Sequence, residues 1–359
     1  MNYNNALQEL VDSINIISED KQYWFLRTQS GSMYDLFLDT EIVGIEHNEI
    51  ALQETLRLYN VYGKNKKEFT KEYKSQLEKF YKNEIESGKI TNQKIGVIAS
   101  QVHRFLHEIK AGDYVLIPSA NSSLISIGEI VSSEIKTQSK EELEQSKYNY
   151  PLIKEVKWIK QLKKHQIDPL MYKMFTNHQA ISNVSNYKEI IERTLNDMYI
   201  LGDRAHTIIE VENDEIKAKH LFGLGYELLN LVDEFCIEYN IDVDTNDIDV
   251  SVNINSPGRI DLKSLGKTSA IIAGIILFSV GGGFKKEGGN FSLTTEGVPG
   301  LINAVSDFLD RKHEREQNAK NLDIRHNLIL KYADSLSVKT PEDLVKIIKQ
   351  FDENKDLPK

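Results

Sequence analysis

Cysteine occurs once in the 359 residues, at Cys236, which excludes an intrachain disulfide framework and a cysteine-rich zinc site. Its setting, the apolar helical run LLNLVDEFCIEY, reads as a small buried side chain in a protein of a reducing compartment. Positive charge is not in excess either: 44 Lys and Arg stand against 54 Asp and Glu, a net charge of -10. Residues 1–165 carry 22 basic and 23 acidic side chains, and residues 166–359 carry 22 and 31. A generally basic nucleic-acid coat is therefore excluded, while the near-neutral first part still leaves room for a local basic groove. The polar N-terminal stretch MNYNNALQELVDSINIISED has no signal-peptide apolar core, so the expected location is cytoplasmic. No internal repeat is seen at periods of 20–50 residues. At 40% hydrophobic and 27% charged residues the chain is globular, with room for two or three domains.

What is present begins with an amphipathic helix over residues 1–20, marked by Leu7, Leu10, Val11, Ile14 and Ile17. Short strands follow at Tyr23–Gln29 (YWFLRTQ) and Glu41–His47, with one or two helical turns between them and a helix from about Asn48 to Tyr59. Residues 65–88 are highly charged, with Phe69, Tyr73, Leu77, Phe80 and Tyr81 along one side; this predicts an amphipathic helix with a solvated outer face. The stretch Ala99–Lys136 predicts a helix, a Gly-Asp turn and a hairpin, with strands at 114–119 and 124–135 joined through Ala120–Ser123. A further alternating strand spans Leu152–Lys164. Residues 167–238 read as mainly helical, with His206–Asn213 (HTIIEVEN) open to a strand or a helix continuation, and 241–262 as a long alternating strand broken at Ser256-Pro257-Gly258. A strand-like NFSLTTEG and amphipathic helices complete the chain. Strands mixed with helices, without strict βαβ alternation, indicate an α+β fold.

Several motifs come close to known chemistry and fail. Gly266-Lys267-Thr268 ends like a phosphate loop, but Asp261 stands where its first glycine belongs. Asp242, Asp244 and Asn246 match the opening of a calcium loop, yet Asp247 replaces its glycine and Asn253 its bidentate glutamate. Two E-x-K tripeptides, Glu155-Val156-Lys157 and Glu215-Ile216-Lys217, lack the clustered carboxylates that a metal-dependent nuclease needs. His103 and His107 share a helix face at i, i+4 without a third ligand, and read as surface residues. No metal site, no cofactor and no catalytic residue is assigned.

The order "YWFLR…SGSMYDLFLDTEIVGIEH", a helix, "VHRFLHEIKAGDYVLIPSANSSLISIGEIVSSE" and "YPLIKEVKWIK" resembles the PUA-like/EVE-like domains at the front of modification-dependent restriction systems and related bacterial defence proteins. The resemblance spans about residues 22–165. It implies a small PUA-like β-barrel with helices, in which residues 60–95 form a long helical insertion. It also implies a pocket for a flipped or free nucleobase, stacked on aromatic rings and read along its edge. Tyr23, Trp24, Tyr34 and Trp158 would then lie on the lining elements, although Tyr23 and Trp24 face opposite ways. Arg27, Glu46, Ser119 and Asn121 would offer hydrogen bonds at strand ends. The competing account places Trp24 and Trp158 in the core.

The uncharged run Thr268–Phe284 (17 residues) falls short of the roughly 20 apolar residues that span a bilayer. A buried helix is the first reading; membrane contact through 268–284 is the alternative. The expected organisation is a ligand-binding domain at 1–165, a helical connector at 166–240 and an α+β effector or oligomerisation domain at 241–359 that contains the strongly apolar helix. The expected function is an anti-phage defence-type sensor and effector that binds a modified DNA base or small nucleotide, with a second copy of the chain, in a homo-oligomer, as a further expected partner. The alternatives are a membrane-permeabilising effector and a metal-dependent nuclease.

Overall fold

A computed structural model of the chain describes residues 3–47, 49–137, 150–177, 179–213, 216–253, 258–265, 267–280, 297–318, 325–339 and 341–353. Among them the strands are β1 (Ile16–Ile17), β2 (Tyr23–Leu26), β3 (Ile42–Ile45), β4 (Tyr114–Pro118), β5 (Leu124–Ile130) and β6 (Lys136–Thr137). They continue with β7 (Leu152–Lys163), β8 (Ile181–Asn183), β9 (Met198–Leu201), β10 (Arg204–Val211), β11 (Ile248–Asn253) and β12 (Gly258–Leu265). The fold is mixed α+β. The chain divides into residues 20–188 and a second unit made of 1–19 with 189–359, not at 165 and 240. The segment expected to be a helical connector contains β8, which completes one sheet, and β9 and β10, which are inner strands of the other. Its strand signal is weak because Ala205–Ile209 is buried on both faces and so does not alternate.

In residues 20–188 the sheet runs β3-β7-β5-β4-β2-β8, with β6 paired to β7. Neighbours are antiparallel except β2 and β4, which are parallel. The described pairing has two ends, β3 and β8, and does not close into a ring. The register slips at Ile127/Gly128, where a bulge in the β5–β7 pair bends the sheet. The expected insertion is helical, over Lys66–Phe80 and Lys82–Glu86. The Asn65 side chain caps the first of these by accepting the Glu68 amide at 3.2 Å. Phe69, Tyr73 and Leu77 are fully buried in the same core as Val102, Phe105 and Val115. The insertion thus supplies core to this unit. Phe80, expected on the apolar side, is exposed. His103 is not at the surface: it is buried, with Nε2 3.0 Å from the Gly63 carbonyl oxygen.

In the second unit the sheet runs β1-β9-β10-β12-β11, with β1 and β9 parallel and the other pairs antiparallel. The stretch 241–262, expected as a strand pattern broken at Ser256-Pro257-Gly258, opens with a 3₁₀ turn capped by Asp244, and β11 and β12, on the two sides of that break, pair antiparallel. One sheet face receives the helix Ser269–Val280, apolar all round and buried all round except at Ser279. Thr207 donates its hydroxyl proton to the Ala270 carbonyl at 2.8 Å. Gly274 lets the helix approach the strands, since a Cβ there would lie 2.9 Å from Thr207 Cγ2. Helices Tyr3–Ser13, Ala218–Tyr239, Gly297–Asn318, Arg325–Leu336 and Glu342–Glu353 contribute to the same core. At 12 residues the apolar helix is about 18 Å long against a hydrocarbon layer of about 30 Å. Among the described residues no helix is long and apolar enough to cross a membrane. Residues 281–284 of the apolar run, the NFSLTTEG run and Glu215 lie outside the described residues.

Candidate functional site

Because β2 and β4 run parallel, both leave the sheet at the same edge, and the turns that follow them come side by side. After β2 the chain turns through Gln29, Ser30 and Gly31, with φ of 49°, 57° and 97°. After β4 it turns through Ala120–Ser122, where Asn121 and Ser122 have φ of 54° and 53°. Left-handed backbone at five residues of two adjoining turns is uncommon and marks a built feature. Gly31 is required twice over: a Cβ there would sit 2.2 Å from the Ala120 nitrogen.

Hydrogen bonds pin both turns. The Thr28 hydroxyl donates to the Pro118 carbonyl, tying the two strand ends together. The Gly31 and Met33 amides both reach the Thr28 carbonyl, at 2.9 and 3.1 Å. Ser119 Oγ accepts the Leu124 amide at 2.8 Å and pairs with Ser123 Oγ at 3.0 Å. Between the turns lies a cavity of about 200 Å³, lined by Arg27, Thr28, Ser30, Gly31, Pro118, Ser119, Asn121 and Ser122. Arg27 is held in place by donating from Nε to the Asn177 carbonyl (2.7 Å) and from Nη2 to the Phe175 carbonyl (2.8 Å). That spends two of the five guanidinium N–H groups. The side chains on the cavity wall are one cation, four hydroxyls and an amide, a mixed donor and acceptor surface.

Of the residues expected to line a pocket, the structure brings together Arg27, Ser119 and Asn121. Glu46 stands beside them, accepting a hydrogen bond from the Gln29 side chain of the first turn. The aromatic residues are elsewhere, and this corrects the stacking expectation. Trp24 is 2% exposed and donates its indole N–H to Asp113 Oδ2 at 3.0 Å. Tyr34 is buried, its hydroxyl 2.6 Å from Ser126 Oγ and accepting from Gln161 at 2.8 Å. Trp158 donates to the Phe37 carbonyl at 3.0 Å and packs on Gly128, whose missing Cβ would lie 2.7 Å from the indole ring. Trp24 and Tyr34 make core, Trp158 packs half-buried against it, and none lines the cavity. Tyr23 is buried too, edge-on to Tyr114.

Sequence reasoning missed Asp113, Thr28 and Lys154. Asp113 is buried and collects the Gln22 and Lys110 amides as well as Trp24; its signal was the Gly112-Asp113 turn. Lys154 on β7 is fully buried and donates to the Ser133 carbonyl at 2.8 Å. Burial pulls its pKa from 10.5 down to about 8, against the opposing pull of Asp113. The alternation of LIKEVKW sets this lysine on the face of Leu152, Val156 and Trp158, so its inward position was legible from period two. Glu155, of the first E-x-K tripeptide, is half-exposed and paired with Lys136.

A family model described as "Domain of unknown function (DUF8426)" matches residues 45–185. The match begins at the end of β3 and includes the second turn, Ser119, Asn121 and Trp158. No curated protein and no solved structure matches the chain.

Proposed function

We propose that residues 20–188 are a PUA-like/EVE-like reader that takes a nucleobase, free or flipped from DNA, into the cavity between the two turns, as the sensing part of an anti-phage defence-type protein. The observation that carries this reading is the convergence of Arg27, Ser119 and Asn121 on one polar cavity with a rigid, left-handed rim. About 200 Å³ is below the roughly 300–1,000 Å³ usual for larger ligands and suits a single ring system. Hydroxyl and amide groups can both donate and accept, which matches the mixed pattern along a base edge. Arg27 adds a planar cation suited to a base carbonyl or a neighbouring phosphate. Recognition is by edge hydrogen bonds in this account, and aromatic stacking has no part in it.

The test is equilibrium binding of the full chain to free modified nucleosides and to duplexes carrying single modified bases. Asn121→Asp keeps shape and tolerates the left-handed backbone but loses the amide donor. It is expected to weaken binding about tenfold, the worth of one hydrogen bond of roughly 1.4 kcal/mol. Binding that Asn121→Asp and Ser30→Ala both leave unchanged contradicts the assignment.

The cavity between the turns lends no support to the two alternatives. The apolar helix is enclosed by its own unit, and the carboxylate of Glu155 is spent on an ion pair at the sheet surface.

A further inference from the structure

The face of the second sheet that does not receive the apolar helix carries an unusual group of side chains. Antiparallel register sets Ile208 opposite Asp261 and His206 opposite Lys263, so His206, Asp261 and Lys263 project from the same side of β10 and β12. The helix Lys188–Leu195 adds Glu189 to them: its carboxylate pairs with Lys263. His206 Nδ1 lies 3.1 Å from Asp261 Oδ1, and Lys263 Nζ lies 3.8 Å from Asp261 Oδ2. Tyr199, opposite His206 on β9, stacks on the imidazole with centroids 4.4 Å apart and planes 9° from parallel. The stack fixes the plane of the ring, as the surroundings of a ligating histidine do. Asp261 is 1% exposed and His206 2%.

We propose that Glu189, His206 and Asp261 form a divalent-cation site. One donor atom from each falls within 4.8 Å of the other two. Donors around one ion at about 2.1 Å lie up to about 4.2 Å apart, so closing on an ion takes a side-chain shift under about 1 Å. The three come from a helix and two strands, which sets them around a point and not along a line. The two carboxylates are negative and one of them, Asp261, is buried; Lys263 answers one charge and a cation between the carboxylates answers the other. One imidazole nitrogen with two carboxylate oxygens favours zinc, manganese or ferrous iron over calcium or magnesium, which take oxygen alone. Asp261-Leu262-Lys263 is a D-x-K tripeptide on a strand, and its acid, unlike that of Glu155-Val156-Lys157, has a histidine and a second carboxylate beside it.

Co²⁺ serves as the probe, because its visible absorption reports the donors that hold it. Full-length protein dialysed against a chelator is titrated with Co²⁺ and then with Zn²⁺. The expected result is one saturable equivalent with a visible band that Zn²⁺ displaces, weakened at least tenfold in Asp261→Asn and in Glu189→Gln. Circular dichroism reports whether each variant folds. If Asp261→Asn does not fold, Glu189→Gln decides, since the Glu189 side chain is 44% exposed and its loss disturbs no core. No saturable binding overturns the site, as does binding that both variants leave at the wild-type strength. Binding lost instead in His313→Gln, beside His326 with ring centroids 4.9 Å apart, also overturns it.

Discussion

At Gly31 two turns meet so closely that hydrogen is the only substituent that fits. Gly31→Ala adds a methyl group against backbone at φ 97°, and is expected to cost about 2–3 kcal/mol or more and to abolish ligand binding. Urea unfolding and the binding assay check this together. Lys154 gives a prediction with a pH sign. Its folded pKa, about 8, lies below the ordinary 10.5, so between those values the unfolded chain holds more protons. Stability therefore rises with pH from 8 to about 9, by at most about 1.4 kcal/mol per pH unit. Above pH 9 an opposing effect sets in, because burial holds the Cys236 thiol and then the Tyr73 hydroxyl up at about 12, above their ordinary 9 and 10. Lys154→Met should be more stable than wild type at pH 7.5 and lack the rise, which denaturant midpoints across the range would show. Cys236 is buried, its thiol pushed up to about 12, as the reading of it as a core side chain requires. Single residues were legible where chemistry and a turn coincided, as at Asn121. Trp24 and Trp158 misled because a large aromatic on a strand looks the same whether it packs or binds.

Among the elements, the Ala99–Lys136 helix and hairpin and the long β7 emerge where their apolar spacing predicts. In β7 the alternation is visible over Val156–Trp158, whereas β4 is buried at every position and was marked by its short apolar run after the Gly112-Asp113 turn. The segment 198–211 left strand and helix undecided at His206–Asn213 and hid β9, because its strands are covered on both faces. The run at 268–284 had no period at all, and uniform apolarity is compatible with any fully buried setting. The structure resolves that ambiguity through Gly274. Gly274→Leu would press on Thr207 and Met198, and an expected loss of roughly 1–3 kcal/mol in urea unfolding follows. A helix lodged in lipid would show no such loss.

On the scale of the whole molecule, the N-terminal helix and β1 belong with residues 189–359, since β1 pairs with β9. The unit at 20–188 is thus an insertion in the sequence of the other. Sequence spacing could not reveal this, because β1 has only two residues and its partner lies 184 positions further on. A fragment of residues 20–188 has its own core and is expected to fold and to keep the binding activity of the full chain. Removing residues 1–19 is expected to lower the stability of the second unit and leave that binding intact, which two-probe unfolding with a ligand titration would resolve. The central claim is that the polar cavity between the two turns holds a base by its edge. The most direct measurement is the affinity of wild type and Asn121→Asp for one panel of free modified nucleosides. The account predicts saturable one-to-one binding of at least one nucleoside, weakened about tenfold by the substitution. No binding across the panel, or equal affinity in both proteins, would contradict it.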